Sequence, residues 1–422
     1  MLSWGRLLLT ESLVGNRRKK SLSSIALGLH YRMLLLRHSF TRRLFAKKLG
    51  QYCSLQPEKT LRSEGAAFDY SLRFHPQMEA RLNLRRCLNI VLHALTMLLL
   101  CSYLSPQTKT NTGNTPPLKT VAEVPLPGPA VRFDYQSLDT TTGRLYIAHM
   151  NADRIVVFDT AARKVLADLA GFPRVHGVWA VPEEQRIFAS ATGDREVAVV
   201  DTQTFRTVAR VGPITYPDGL AYAPGPKRVF VSDEHGNTDA VIDTQTYKLL
   251  KKIDLGGGAG NTVFDPTVAR ILVAVHEKNE LVVIDPVKLE IRGRYPVPGL
   301  REPHGIALDT DNRLAFVAGA SNHTLALIDL NSMKTLATYP VGDDPDVLAF
   351  DPGLKQLYVS AESGNVWVYR EKGRQLEAVG HFFMPRAHTV CVDPKTHLVY
   401  FPLENIDGRP ILRVMEPTSP AQ

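Results

Sequence analysis

PDGLAYAPGPKRVFVSDEHGNTDAVIDTQTYKLLKKIDL, residues 217–255, decides the fold. It holds four short runs of branched and aromatic residues: PDGLAYAP (217–224), KRVFVSD (227–233), DAVIDT (239–244) and KLLKKIDL (248–255). Turns rich in Gly, Pro, Asn and Asp separate them, so the stretch reads as four successive strands. The Asp that closes the third run recurs along the chain. VVFDT, VAVVDT, DAVIDT, LVVIDP and LALIDL place Asp159, Asp201, Asp243, Asp285 and Asp329 at intervals of 42, 42, 42 and 44 residues. Four strands per unit of this length is the signature of a propeller blade.

Seven units fit the chain, their first strands starting near residues 134, 176, 218, 261, 304, 346 and 388. The last unit ends with ILRVMEP (411–417), three strands in. The missing strand lies at the other end: KTVAEVPL (119–126) matches the fourth strands KTLATYPV (334–341) and KLLKKIDL and precedes the first unit. Pairing it with the last three strands closes the ring and removes exposed sheet edges. The expectation is an all-β, seven-bladed propeller of four-stranded blades over residues 119–417, closed by its N-terminal strand, with a short tail at 418–422.

These units resemble the YVTN-repeat β-propellers, a bacterial family whose repeats read approximately P-x-G-V-A, L-Y-V-T-N, V-I-D-T. The segments that carry the resemblance are PDGLA (217–221), PHGIA (303–307), LYIAH (145–149), VFVSD (229–233), LYVSA (357–361), VIDT (241–244) and VVDT (199–202). No unit has a literal YVTN, and the Asn position reads His149, Asp233 or Ala361. The resemblance implies a WD40-like propeller in a bacterium. It implies no particular activity, because the family mixes binding and scaffolding members.

Upstream of the repeats the text changes. Residues 1–86 contain 17 Lys/Arg and 5 Asp/Glu, so they carry +12 of the formal total of +8 and the remainder carries −4. The mildly acidic repeat region therefore argues against nucleic acid as a partner. Residues 1–77 show no sustained period and read either as a basic, disordered N-terminus or as an over-extended start, with Met78 beginning the protein. MEARLNLRR leads into the 18-residue apolar run CLNIVLHALTMLLLCSYL (87–104). A basic flank before such a run describes a signal peptide or a transmembrane helix over 78–104, with membrane contact through 87–104 if uncleaved. MLLLC resembles a lipidation box ending at Cys101, although Leu100 stands where a small residue belongs. Residues 105–118 form a polar, Thr- and Pro-rich linker. Together these features predict a monomer in the periplasm or outside the cell, anchored or secreted. Cys391 is the one cysteine beyond residue 101, which leaves the repeats without an internal disulfide.

Stepping through the chain by the period puts one polar residue at the start of each innermost strand: Asp134, His176, Asp218, Asn261, His304, Asp346 and His388. The slot predicts a ring at the mouth of the central channel. Imidazole nitrogens and carboxylate oxygens converging there suit a divalent metal such as Ca, Zn, Mn or Fe. The same residue types also cap backbone groups where loops enter strands. A second offset, after the second strand, reads Glu234, His276, Glu362 and Glu404, an outer shell on the same side. G-x-S-x-G, H-E-x-x-H and C-x-x-C are absent from the sequence, so no common catalytic signature guides the reading. Two functions follow: an extracytoplasmic module that binds a small molecule or a protein through its top face and channel mouth, or a lactonase-like metal-dependent hydrolase or lyase.

Overall fold

The computed structural model describes residues 116–418. Twenty-eight strands form seven four-stranded antiparallel sheets. Six of these sheets run in simple chain order, β2 (Gln136–Asp139) to β5 (Lys164–Ala170) being the first. The seventh joins the two ends of the propeller. In it β1 (Leu118–Pro125) pairs with β28 (Arg409–Pro417), followed by β27 (Val399–Ile406) and β26 (Cys391–Val392). The register runs from Leu118 opposite Pro417 to Pro125 opposite Ile411. The N-terminal strand thus closes the last blade.

The repeated Asp has a local cause. Asp201 Oδ1 accepts the backbone N–H groups of Gln203 and Thr204 at 3.0 and 2.8 Å, and Asp243 Oδ1 those of Gln245 and Thr246 at 3.1 and 2.7 Å. Each carboxylate builds the turn that sends the third strand into the fourth. Second and third strands such as RLYIAH and RIVVFD are almost wholly buried, whereas fourth strands are more exposed and in KVLADLA, EIRGRYP and KTLATYP alternate. Each inter-blade gap is filled from both sides. Phe230 and Val241 of the third blade, for example, pack with Ile271, Val273 and Val282 of the fourth.

The first strands determine where the site lies. In the second blade Val175 pairs with Ala191 and Val178 with Ala189, so two residues, His176 and Gly177, face one. This β-bulge recurs at Asp218–Gly219, Gly260–Asn261, His304–Gly305 and Asp346–Val347. A bulge re-aims side chains at the cost of one ladder position. The first blade does the same before its strand proper, with Asp134 N–H donating to Ala148 O and Ala148 N–H to Tyr135 O. In the seventh blade the first strand shrinks to Cys391–Val392, and the His388 carbonyl accepts instead from Val347 N–H of the sixth blade.

The transmembrane helix expected over 87–104 is not borne out: among the described residues no helix is long and apolar enough to cross a membrane. That stretch, with Cys101, lies outside the described residues, as do residues 1–86, 105–115 and 419–422.

Neighbouring first strands approach closely at the bulge. A Cβ added at Gly177 would lie 2.1 Å from Asp218 O, and one at Gly305 2.1 Å from Asp346 O. Gly177→Ala and Gly305→Ala should therefore each destabilise by about 1–3 kcal/mol, the range for overpacking. Gly225→Ala, where a Cβ meets nothing within 4 Å, should be neutral by comparison. Urea unfolding of the three variants checks this; equal stability of all three would mean the strands separate freely.

Candidate functional site

The bulges bring residues of the first six blades around one cavity of about 320 Å³. Of the seven slot positions, Asp134, His176, Asp218, His304 and Asp346 line it, together with Glu234, His276 and Glu362 from the second offset. His388 stands just behind, its Nδ1 4.0 Å from Glu362 Oε2. Glu404 sits apart, 3.8 Å from Arg386 Nε. In the fourth blade the register gives the phase of His176 to Gly260, so Asn261 occupies the phase of Gly177. The vacancy is filled from the next strand, because a Cβ on Gly260 would meet His276 Nε2 at 2.8 Å.

Four groups of contacts organise the cavity. His176 Nδ1 lies 2.8 Å from Asp134 Oδ2 and 3.5 Å from Asp218 Oδ1, and its Nε2 lies 3.3 Å from the Tyr216 hydroxyl. The Asp218 Oδ1 atom is buried and accepts no hydrogen bond among the described residues. Across the ring, His304 Nε2 lies 3.2 Å from Asp346 Oδ1, while its Nδ1 meets His276 Nε2 at 3.0 Å. Tyr135, which takes the glycine phase in the first blade, crosses the interior. Its hydroxyl donates to Asn261 Oδ1 at 2.5 Å and lies 3.3 Å from His304 Nε2. Finally, Arg132 contacts Glu362 Oε1 at 2.6 Å and approaches Asp346 Oδ2 to 3.9 Å.

Arg132, Tyr135, Tyr216, Glu302 and Asp344 line the cavity without having been singled out in the sequence. Four of them share one offset, two residues before the slot, and the period that found the slot reaches them too. Tyr135 carries no such signal; only its place in the bulge explains its reach.

Burial and crowding set the protonation states. Asp134 and Asp218 are both raised to about 7, first by burial, with neighbouring carboxylates adding to it. His304 goes the other way. Burial opposes its charge, but the Asp346 hydrogen bond and the charges of Asp346, Asp218 and Glu234 raise its pKa to about 9. Asp346 stays below the usual carboxylate range because His304, His388 and Arg132 outweigh its burial. Burial and the His304 charge lower His276 to about 4. At neutral pH His304 is thus an imidazolium that donates to neutral His276 on one side and to Asp346 on the other. Burial keeps the Tyr135 phenol protonated, helped by the carboxylates around it.

No family model and no curated protein matches the chain. Solved structures do. Hydrazine synthase of Kuenenia stuttgartiensis superposes with a TM-score of 0.59 at 16% identity, covering 71% of this chain and 98% of that one. The U3-55K structure gives 0.60 at 9% identity over 70% and 98%, and the WD40 repeats of RRP9 give 0.60 at 10% over 71% and 99%. At these identities the likeness is one of fold. The chain is a seven-bladed β-propeller of the WD40/YVTN-like type, with a buried His/Asp cluster capable of coordinating a metal ion.

The protonation pattern yields a pH dependence. The His304 pKa near 9 exceeds the ordinary value of 6.5. Its stabilising contribution is therefore complete below about pH 6.5 and is lost as pH rises through 9. Asp134 and Asp218, raised to about 7, favour the fold when protonated and withdraw that support as pH rises from 4 through 7. His176 and His276 have lowered pKa values and act oppositely below 6.5. The fall between about pH 7.5 and 10 thus belongs to His304. Metal-free protein should melt at progressively lower temperature across that window, and His304→Gln should show a shallower decline; parallel curves would remove His304 as the cause.

Proposed function

We propose that the chain is an extracytoplasmic propeller of the YVTN-repeat kind that binds a divalent cation at its channel mouth and uses it in hydrolytic or lyase chemistry of the lactonase class. One observation carries this reading. The donor atoms of Asp134, His176 and Asp218 lie within 4.8 Å of one another, all three residues are buried, and Asp218 Oδ1 has no hydrogen-bond donor. A buried carboxylate left unpaired is costly, and a cation is what such an atom suits. One imidazole and two carboxylates fit Zn, Mn or Fe, while Ca prefers an all-oxygen set. The basic-then-apolar stretch at 78–104 supports the extracytoplasmic placement.

When bound, such a cation polarises a carbonyl oxygen or lowers the pKa of water. The remaining work falls to side chains of this chain. Asp134, His176 and Asp218 would hold the cation, His176 through Nδ1 in the tautomer whose one proton sits on Nε2 and is donated to the Tyr216 hydroxyl. The His304 imidazolium and the Arg132 guanidinium bring positive charge to the cavity wall, where negative charge on a substrate oxygen would be stabilised. His304 also holds a proton at Nε2 for a leaving oxygen, and His276 holds the ring in place from Nδ1.

The cavity of about 320 Å³ also suits a plain ligand-binding module with no turnover. Elemental analysis after loading with Zn²⁺ or Mn²⁺ tests the metal, and a panel of lactones and esters tests the chemistry. We expect bound metal, metal-dependent hydrolysis, and at least tenfold weaker binding in His176→Gln and Asp218→Asn. Metal without turnover leaves the binding module; absence of metal ends the metalloenzyme reading. Titration calorimetry in buffers of different ionisation enthalpy should further show proton release on binding near pH 6.5, as expected when metal displaces protons from Asp134 and Asp218, both raised to about 7.

A further inference from the structure

We propose that the cavity holds a pair of divalent cations bridged by the Asp134 carboxylate, the second held by Asp346 and His388. This rests on the metal reading above and extends it from one cation to two. Asp134 belongs to two donor sets at once. One is Asp134, His176 and Asp218; the other is Asp134, Asp346 and His388; in each the donor atoms lie within 4.8 Å of one another. The sets stand on either side of the first blade, toward the second and third blades in one direction and the sixth and seventh in the other. All five residues are buried.

The second set has independent marks of a ligand site. His388 Nε2 lies 2.9 Å from Phe133 O, and a carbonyl can only accept, so that nitrogen carries the hydrogen. In the neutral ring Nδ1 then keeps its lone pair, 4.0 Å from Glu362 Oε2. An imidazole fixed by a backbone carbonyl through its far nitrogen is the arrangement that metal-ligating histidines use. Asp346 is divided in the same way. Its Oδ1 is engaged by His304 at 3.2 Å, while its Oδ2 has only Arg132 at 3.9 Å, beyond hydrogen-bond distance. Arg132 spends its close contact on Glu362, at 2.6 Å, which leaves Asp346 Oδ2 for a cation.

Charge argues for the second ion as well. Asp134, Asp218, Glu234, Glu302, Asp344, Asp346 and Glu362 line the cavity against Arg132 and His304. One divalent cation leaves the group strongly negative. A second brings it close to balance. Cations that share one carboxylate in this way lie about 3.5–4 Å apart, close enough to act on one substrate together.

The test uses the full chain, stripped with chelator and dialysed against Mn²⁺ or Zn²⁺, with metal counted by elemental analysis and the Mn²⁺ form examined by electron paramagnetic resonance. We expect two equivalents and the multiline spectrum of an exchange-coupled manganese pair. His388→Gln and the near-isosteric Asp346→Asn should each keep one equivalent, with the six-line signal of an isolated ion. Asp134→Asn should weaken both ions at least tenfold. Circular dichroism and thermal melts confirm that each variant is folded. One equivalent in the wild type, or two without coupling, overturns the bridged pair but leaves a single-metal site standing; no metal overturns both. Two equivalents retained in His388→Gln and Asp346→Asn overturn the assignment of the second ion to these residues.

Discussion

Seven strands cannot meet on one axis with seven full side chains at the meeting point, and much of this molecule follows from that limit. Where the first strands start, the backbones of neighbouring blades approach so closely that a methyl on Gly177 or Gly305 would overlap a carbonyl. The chain accommodates this with a two-residue bulge, one residue small and the other polar and re-aimed. The bulge therefore serves packing and presentation together. It closes the ring tightly, and it delivers His176, Asp218, His304 and Asp346 from four blades to a common volume.

Departures from the small-plus-polar pattern are where the site gains its asymmetry. Tyr135 replaces the small residue in the first blade and reaches the fourth and fifth. In the fourth blade Gly260 and Asn261 exchange the two roles, and His276 moves into the space that Gly260 leaves. A ring of near-identical units thus becomes a cavity with distinct sides. On one side a histidine chain ends at Asp346; on the other, carboxylates gather around His176.

The architecture was legible in the sequence because its signals are local and repeated. The turn-forming Asp at Asp159, Asp201, Asp243, Asp285 and Asp329 and the orphan strand at 119–126 each report a hydrogen-bonding need that recurs or is left open. The site was legible only as a phase. Counting 43 residues from Asp218 lands on Asn261, one position beyond the register that the strands adopt; the regular step of 42 lands on Gly260, and the longer step of 44 falls between Gly260 and His304. His276 owes its place to the absence of a side chain at Gly260, and no pattern in its own segment announces that. Tyr135 spans the ring by length alone, and sequence spacing does not encode a distance across an axis.

The two ends of the first strands provide an internal comparison. At their C-terminal ends Asp265, Asp309 and Asp351 are buried too, but each has a nitrogen partner from the next blade: Arg313 at 2.7 Å, Lys355 at 3.2 Å and His397 at 2.8 Å. Backbone N–H groups add to this, and the pKa values of Asp265 and Asp309 are lowered by these partners despite burial. These are clasps between blades, and their charges are satisfied within the fold. Asp139 and Asp393, buried at the same end of the first and seventh blades, are satisfied instead by threonine hydroxyls and backbone N–H groups. At the N-terminal ends the same residue type in the same strands is treated differently. Asp134 and Asp218 are raised to about 7, and Asp218 Oδ1 lacks a donor. Leaving these carboxylates short of positive charge puts the missing charge outside the protein, in whatever the cavity binds.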